Sequence, residues 1–250
     1  MFKFFRRIRQ NLLSDNKITK YLIYAMGEIV LVVIGILIAL QINNWNNEVE
    51  KRSEEQLIIQ NLHIEFEKNK IGLQSYIEHH EQLLEATTQI MDLIGAPNEE
   101  LDRYNLDSLI ASSLDYIEFN PRQSVISDLN SSGRLNLISS DSLRLLIYEW
   151  SVLIEGAHEG YDTLDEINQM LYLPYLTKNA SMKNIDQYGI LEWDEKSKLY
   201  HNNYELFNDV EFENVVDNQA WDIKNYLNHL KVLEPIIDKI IQETEASTLN

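Results

Sequence analysis

Residues 21–40, YLIYAMGEIVLVVIGILIAL, restrict the chain more than any other stretch. About 20 predominantly apolar residues suffice to cross the ~30 Å hydrocarbon core of a bilayer. Here a single carboxylate, Glu28, interrupts them, and Ile29 to Leu40 is unbroken. A lone segment in lipid must satisfy its backbone internally, so it must be a helix. A buried core helix would not usually be so long and so uniformly apolar. A cleaved signal peptide would need a shorter apolar region and a small-x-small site, which IALQINNW does not offer. We therefore expect an uncleaved transmembrane helix within residues 16–44, with Trp45 as an interfacial anchor at its outer end.

Flanking charge predicts the orientation. Lys3, Arg6, Arg7, Arg9, Lys17 and Lys20 precede the span against the single acid Asp15, whereas Lys51 and Arg52 follow it among several glutamates. The positive-inside bias keeps the N-terminus cytoplasmic and the remainder outside. In MFKFFRRIRQNLL, Phe2, Phe5, Ile8 and Leu12 share one helical face, opposite most of the cations. Residues 1–15 thus read as an amphipathic helix in the cytoplasmic interface, with Lys3, Arg6, Arg7 and Arg9 over anionic lipid headgroups.

Six cations and two acids in residues 1–44 leave 15 Lys and Arg against 38 Asp and Glu for residues 45–250. Such a surface repels phosphate backbones, which argues against nucleic acid as a partner. The absence of cysteine excludes disulfides, thiolate metal sites and thiol catalysis.

The expected fold class is all-α: one N-terminal transmembrane helix followed by a periplasmic bundle of long helices. The first seam runs Ile59, Leu62, Phe66, Asn69, Leu73, Tyr76, His80, Leu83, Thr87, Ile90 and Ile94, in alternating steps of three and four. GAPN at 95–98 stops it, and its polar beginning, residues 45–58, reads as a solvated stalk. A second seam runs Leu146, Trp150, Leu153, Ala157, Gly160, Leu164, Ile167 and Leu171, with Asp141 in the first turn. The third runs Val216, Ala220, Ile223, Leu227, Leu230, Glu234, Ile237 and Ile241, kinked by Pro235. Shorter helices are expected over 105–118 and 122–131, the latter stopped by SSG at 131–133. Residues 188–203 lack helical period and suit a small hairpin or an ordered loop. No linker divides residues 45–250, so one helical domain is expected there.

The segment GEIVLVVIGILIALQINNWN, in its setting of residues 1–47, and SSGRLNLI downstream resemble an uncharacterised family of bacterial single-pass inner-membrane proteins, of the domain-of-unknown-function kind. The resemblance implies an inner-membrane anchor with a periplasmic helical domain. It implies no activity and carries over no functional residue.

Glu28 is the sharpest candidate site, because acids within spanning helices are costly and tend to be functional. Three roles compete. Tyr24 and Lys20, at successive helical turns, suit a ladder that lets the carboxyl reach the inner interface. Alternatively, Gly27, Gly35 and Ala39 form a helix-association face on which a protonated Glu28 donates a hydrogen bond. The third role is proton coupling. Glu28→Gln separates the last two, since a hydrogen-bonding role tolerates the amide and proton coupling does not.

Other constellations favour plain packing. Glu155 and His158 have the spacing of half a di-iron site, but they point away from the second seam and no second Glu-x-x-His exists. His79 and His80 diverge by about 100° on a helix, so they cannot share an ion unaided. His80 lies on the first seam and Glu234 on the third, where a buried pair is conceivable. Gly156 and Gly160, four apart, mark close helix approach. No nucleotide, nucleophile-elbow or calcium-loop motif occurs.

The expectation is thus a non-enzymatic protein of the bacterial inner membrane, with no cofactor and no metal. It would act as a scaffold, assembly factor or accessory subunit, with membrane lipids and either copies of itself or other envelope proteins as partners. The alternative is a proton-coupled or signal-transmitting envelope component that uses Glu28.

Overall fold

Helix α1 runs from Ile18 to Asp92, carried by a sequence whose interior holds no proline and few glycines. The computed structural model describes residues 18–199 and 202–248, which form helices and loops without a strand. The interfacial helix expected over residues 1–15, with Lys3, Arg6, Arg7 and Arg9, lies outside the described residues. The chain divides into two compact units, residues 1–55 and 56–250.

In the first unit the described residues belong to α1. From Leu22 to Asn43 its side chains are exposed, with Tyr24 and Ala25 half-buried. α1 is the one described helix long and apolar enough to cross a membrane, and none of its apolar window is buried.

In the second unit the rest of α1 packs with α2 (Asn98–Leu101), α3 (Leu106–Ser113), α4 (Ser124–Ser132), α5 (Asp141–Ile167), α6 (Leu173–Asn179), α7 (Met182–Ile185), α8 (Val210–Lys231) and α9 (Glu234–Thr248). Phe66 of α1 meets Trp150 of α5 edge to face, with ring centroids 5.1 Å apart. Tyr226 of α8 meets both His80 of α1 and Tyr161 of α5. Lys70 of α1 bridges Asp238 of α9 at 2.7 Å, and His63 lies 3.1 Å from the Thr244 hydroxyl. These pairs make α5 parallel to α1, and α8–α9 antiparallel to both.

The first seam is buried as its period requires: Leu62, Phe66, Leu73, Leu83 and Ile90 are in the core, and Tyr76 and Ile94 lie partly covered. α1 ends because Gly95 adopts φ +73°, and its N–H donates to the Phe207 carbonyl at 2.7 Å. α5 starts where the sequence predicts, with the Ser140 hydroxyl accepting from the Leu143 N–H. Gly133, at φ +69°, stops α4.

Three expectations need correction. Leu171 does not continue the second seam; it is exposed, because a π-helical turn over Asn168–Tyr172 inserts one extra residue and buries Tyr172 in its place. Pro235 does not kink one helix but accompanies a break. α8 ends at Lys231, Leu233 turns into the core, and α9 begins at Glu234, so Pro235 falls in a first turn where no N–H is needed. Glu234 is consequently exposed and forms no buried pair with His80. Of the two readings offered for 188–203, the described part takes the ordered loop and not the hairpin. Gln187 Nε2 donates to the Trp193 carbonyl and the Ser197 N–H to Asn184 Oδ1, so side chains hold it without a facing strand.

Candidate functional site

Two places carry the polar groups a function could use: the apolar part of α1 and the polar seam of the second unit. In the first, Glu28 and Gly35 are seven residues apart and share a helix face, with Ala39 one turn beyond Gly35. A Cβ built on Gly27 or Gly35 would meet nothing within 4 Å. Glu28, Ala39 and Trp45 are exposed, and Tyr24 is half-buried. The Lys20 side chain of the supposed ladder lies outside the described side chains. Small residues with open space above them let a second helix approach closely in lipid, and an acid on that face supplies a polar contact.

In the second unit, the polar residues of the first seam grip the connection between α3 and α4. Asn69 Nδ2 donates to the Arg122 carbonyl and Asn69 Oδ1 accepts from the Arg122 N–H, both at 2.8 Å. One turn earlier, the buried Glu65 accepts from the Ser124 hydroxyl at 2.5 Å and from the Val125 N–H at 3.1 Å, and so caps α4. His79 Nε2 donates to the Asp115 carbonyl at 2.6 Å. His80 Nδ1 donates to the Tyr76 carbonyl at 2.8 Å, and its ring packs on Tyr226, whose hydroxyl accepts from the Phe119 N–H. Burial pushes the His80 pKa down, opposed by the bond to Tyr76. Its Nε2 is buried without a hydrogen bond of ordinary geometry, the Ile117 backbone giving only a weaker pull toward a proton. Thr87 turns back on the Leu83 carbonyl. The two histidines thus serve different partners, as their angular separation requires.

A second buried cluster surrounds the π turn. Gln219 Nε2 donates to the Ser113 carbonyl at 2.7 Å and to Asn168 Oδ1 at 2.8 Å, while Asn168 Nδ2 returns to the Leu164 carbonyl. The Ser113 and Tyr172 hydroxyls are 2.9 Å apart. Burial raises the Tyr172 pKa far above the ordinary range, so the phenol stays neutral. This network ties the first residue of the π turn to α8 and to the end of α3, and it leaves Gln219 Oε1 buried without a hydrogen bond. Asp222, also buried, has its pKa raised by burial.

Sequence reasoning missed Glu65, Ser113, Asn168, Tyr172, Gln219 and Asp222. A usable signal existed for Asn168 alone, four residues after Leu164 on the same stripe. Glu65 and Gln219 flank seam positions, and in so acidic a chain nothing marks them out.

Glu155 is exposed, and His158 pairs with Glu118 at 2.8 Å rather than with Glu155. No group of His, Asp and Glu able to hold a metal ion occurs among the described residues. Gly156 and Gly160 do mark a close approach: the ring of His229 on α8 lies over them. An open concavity of about 970 Å³ beside Asp107 is rich in asparagine, and each of these side chains makes a hydrogen bond, although Asn203 Oδ1 is buried without one. Asn105 caps α3, Asn184 accepts from Ser197, Asn202 accepts from Tyr204, and Asn203 donates to Asp107.

Comparison with known proteins places residues 28–179 in DUF6090, described as a family of unknown function. Neither a curated protein nor a solved structure matches the chain.

Proposed function

We infer a role from the chain's own geometry, because it belongs to the family of unknown function DUF6090 and membership carries no activity with it. We propose a single-pass protein of the bacterial inner membrane, with its N-terminal cations cytoplasmic and its second unit in the periplasm. It acts there as a non-enzymatic scaffold or accessory subunit that holds copies of itself or other envelope proteins together.

The observation that carries this proposal is the exposure of the apolar part of α1. From Leu22 to Leu40 the Leu, Ile, Val and Met side chains lie open on every side of the helix. Burying one such side chain is worth roughly 1.5–3 kcal/mol, so leaving the whole run in water would cost on the order of 10 kcal/mol or more. Lipid removes that cost. Within the second unit Asn69, Glu65, His79, Asn168 and Gln219 hold one chain segment to another, which gives the proposed scaffold a fixed body.

Because the chain has no cysteine, one introduced thiol reports its own compartment. Lys239→Cys lies on an exposed position of α9. In intact spheroplasts a membrane-impermeant maleimide is expected to label it fully. Labelling only after detergent lysis would place the second unit in the cytosol and refute the orientation.

A further inference from the structure

Leu57, Ile64 and Ile71 recur at seven-residue intervals on α1, all within the second unit, and all face outward. They are 59%, 46% and 68% exposed, whereas their neighbours Ile58, Leu62, Phe66 and Leu73 fill the core. α1 is therefore apolar on two opposite faces. One is explained by the bundle, and the other has nothing against it among the described residues. A large aliphatic residue at every seventh position supplies one of the two apolar positions per heptad that a seam between helices uses.

Charge selects the occupant. The chain as a whole carries a formal −19, so two copies repel over most of their surface. Between Leu57 and Ile71 the outward face holds one acid, Glu67, and one base, Lys68, the rest being uncharged. A comparable exposed apolar stripe on α5, Leu145, Tyr148 and Val152, is interleaved with Glu149 and followed by Glu155. The α1 stripe is thus neutral where the α5 stripe is acidic, and acidic copies can meet on it without like charges opposed over its length.

We propose that α1 pairs with α1 of a second copy along Leu57, Ile64 and Ile71, parallel and in register. The register rests on the membrane anchor proposed above. Two copies entering one bilayer by the same segment present the same residues at the same height, so each of the three faces its own counterpart. Polar residues between them, such as Gln60 and Asn61, keep the seam weak for free bodies. Confinement to the bilayer supplies the effective concentration that makes a weak seam sufficient.

The test is disulfide formation in the full-length chain in native membranes. Leu57→Cys, Ile64→Cys and Ile71→Cys are made singly, with Tyr148→Cys as the control, since Tyr148 is as exposed as Ile71, at 68%. Mild oxidation is expected to convert the three α1 variants to a band of twice the chain mass, several-fold more than the control. Adding Ile64→Lys to Leu57→Cys is expected to abolish that band while leaving the thermal melt unchanged, because Ile64 contributes to no core. Equal crosslinking of all four variants, no dimer from the α1 variants, or a product with a different protein would each overturn the pairing. Extraction of the same membranes with alkaline carbonate separates the two failures: a chain that stays in the bilayer yet does not crosslink refutes the seam alone, whereas a chain that washes off refutes the anchor.

Discussion

His80 makes a pH dependence that can be assigned to one side chain. It is buried, burial holds its pKa below the usual value, and it donates through Nδ1 to the Tyr76 carbonyl. An unfolded chain takes up this proton near pH 6.5, whereas the folded one resists it. The unfolded state therefore binds more protons as pH falls below that value, and stability drains away until the folded pKa is reached. Urea midpoints of the wild type at pH 7.5 and 5.5 are expected to fall with acid, and those of His80→Phe to fall less. Equal losses in both would mean that another group carries the effect. At the same scale, Asn69 on the apolar seam and Glu65 beside it show what buried polar residues do in this chain. They fix the register of the 115–125 segment against α1 within one molecule. Sequence period placed Asn69, His80 and Thr87 on the buried face, but it could not name Arg122 as the partner of Asn69 or Tyr226 as the ring against His80, both dozens of residues away.

Among elements, the tightest constraint is the crossing of α5 and α8. A Cβ on Gly160 would sit 2.8 Å from His229 Cδ2, whereas one on Gly156 would sit 3.4 Å from His229 Nδ1. Gly160→Ala gains about 1 kcal/mol of helix propensity and meets about 1–3 kcal/mol of overpacking, so a net loss is expected. Its melting temperature should drop by a few degrees, while Gly156→Ala should hold or rise slightly. His229→Ala should restore Gly160→Ala. A Gly160→Ala variant as stable as the wild type would show that the helices do not approach as described. The spacing of the two glycines made this contact legible from sequence. The π turn and the α8–α9 break were not legible, since each depends on what the chain meets after it folds. Asn168, where the π turn begins, is bonded to Gln219, 51 residues away. Leu233 turns into the core at the point where Pro235 permits a new start. Leu171 and Glu234, each placed on a seam by period alone, lie outside the core for these reasons.

For the whole molecule, the features that carry the proposed placement are also those written most plainly in its sequence. Lipid demands an apolar length and a helical backbone, both local properties, and residues 21–40 meet them without help from the rest of the fold. The loop over 188–199 is the opposite case, held by side chains of α7 and by the Asp107–Lys196 pair, and no local period announces it. The proposed holding role takes the acidic helical second unit to be tied to a bilayer by α1, whose apolar run has no partner in the fold. Membrane attachment is the premise of both the proposed role and the proposed pairing. Alkaline carbonate extraction of membranes containing the full chain tests it most directly. The account predicts that the chain stays in the pelleted membranes and leaves them only with detergent; recovery in the carbonate supernatant would contradict it.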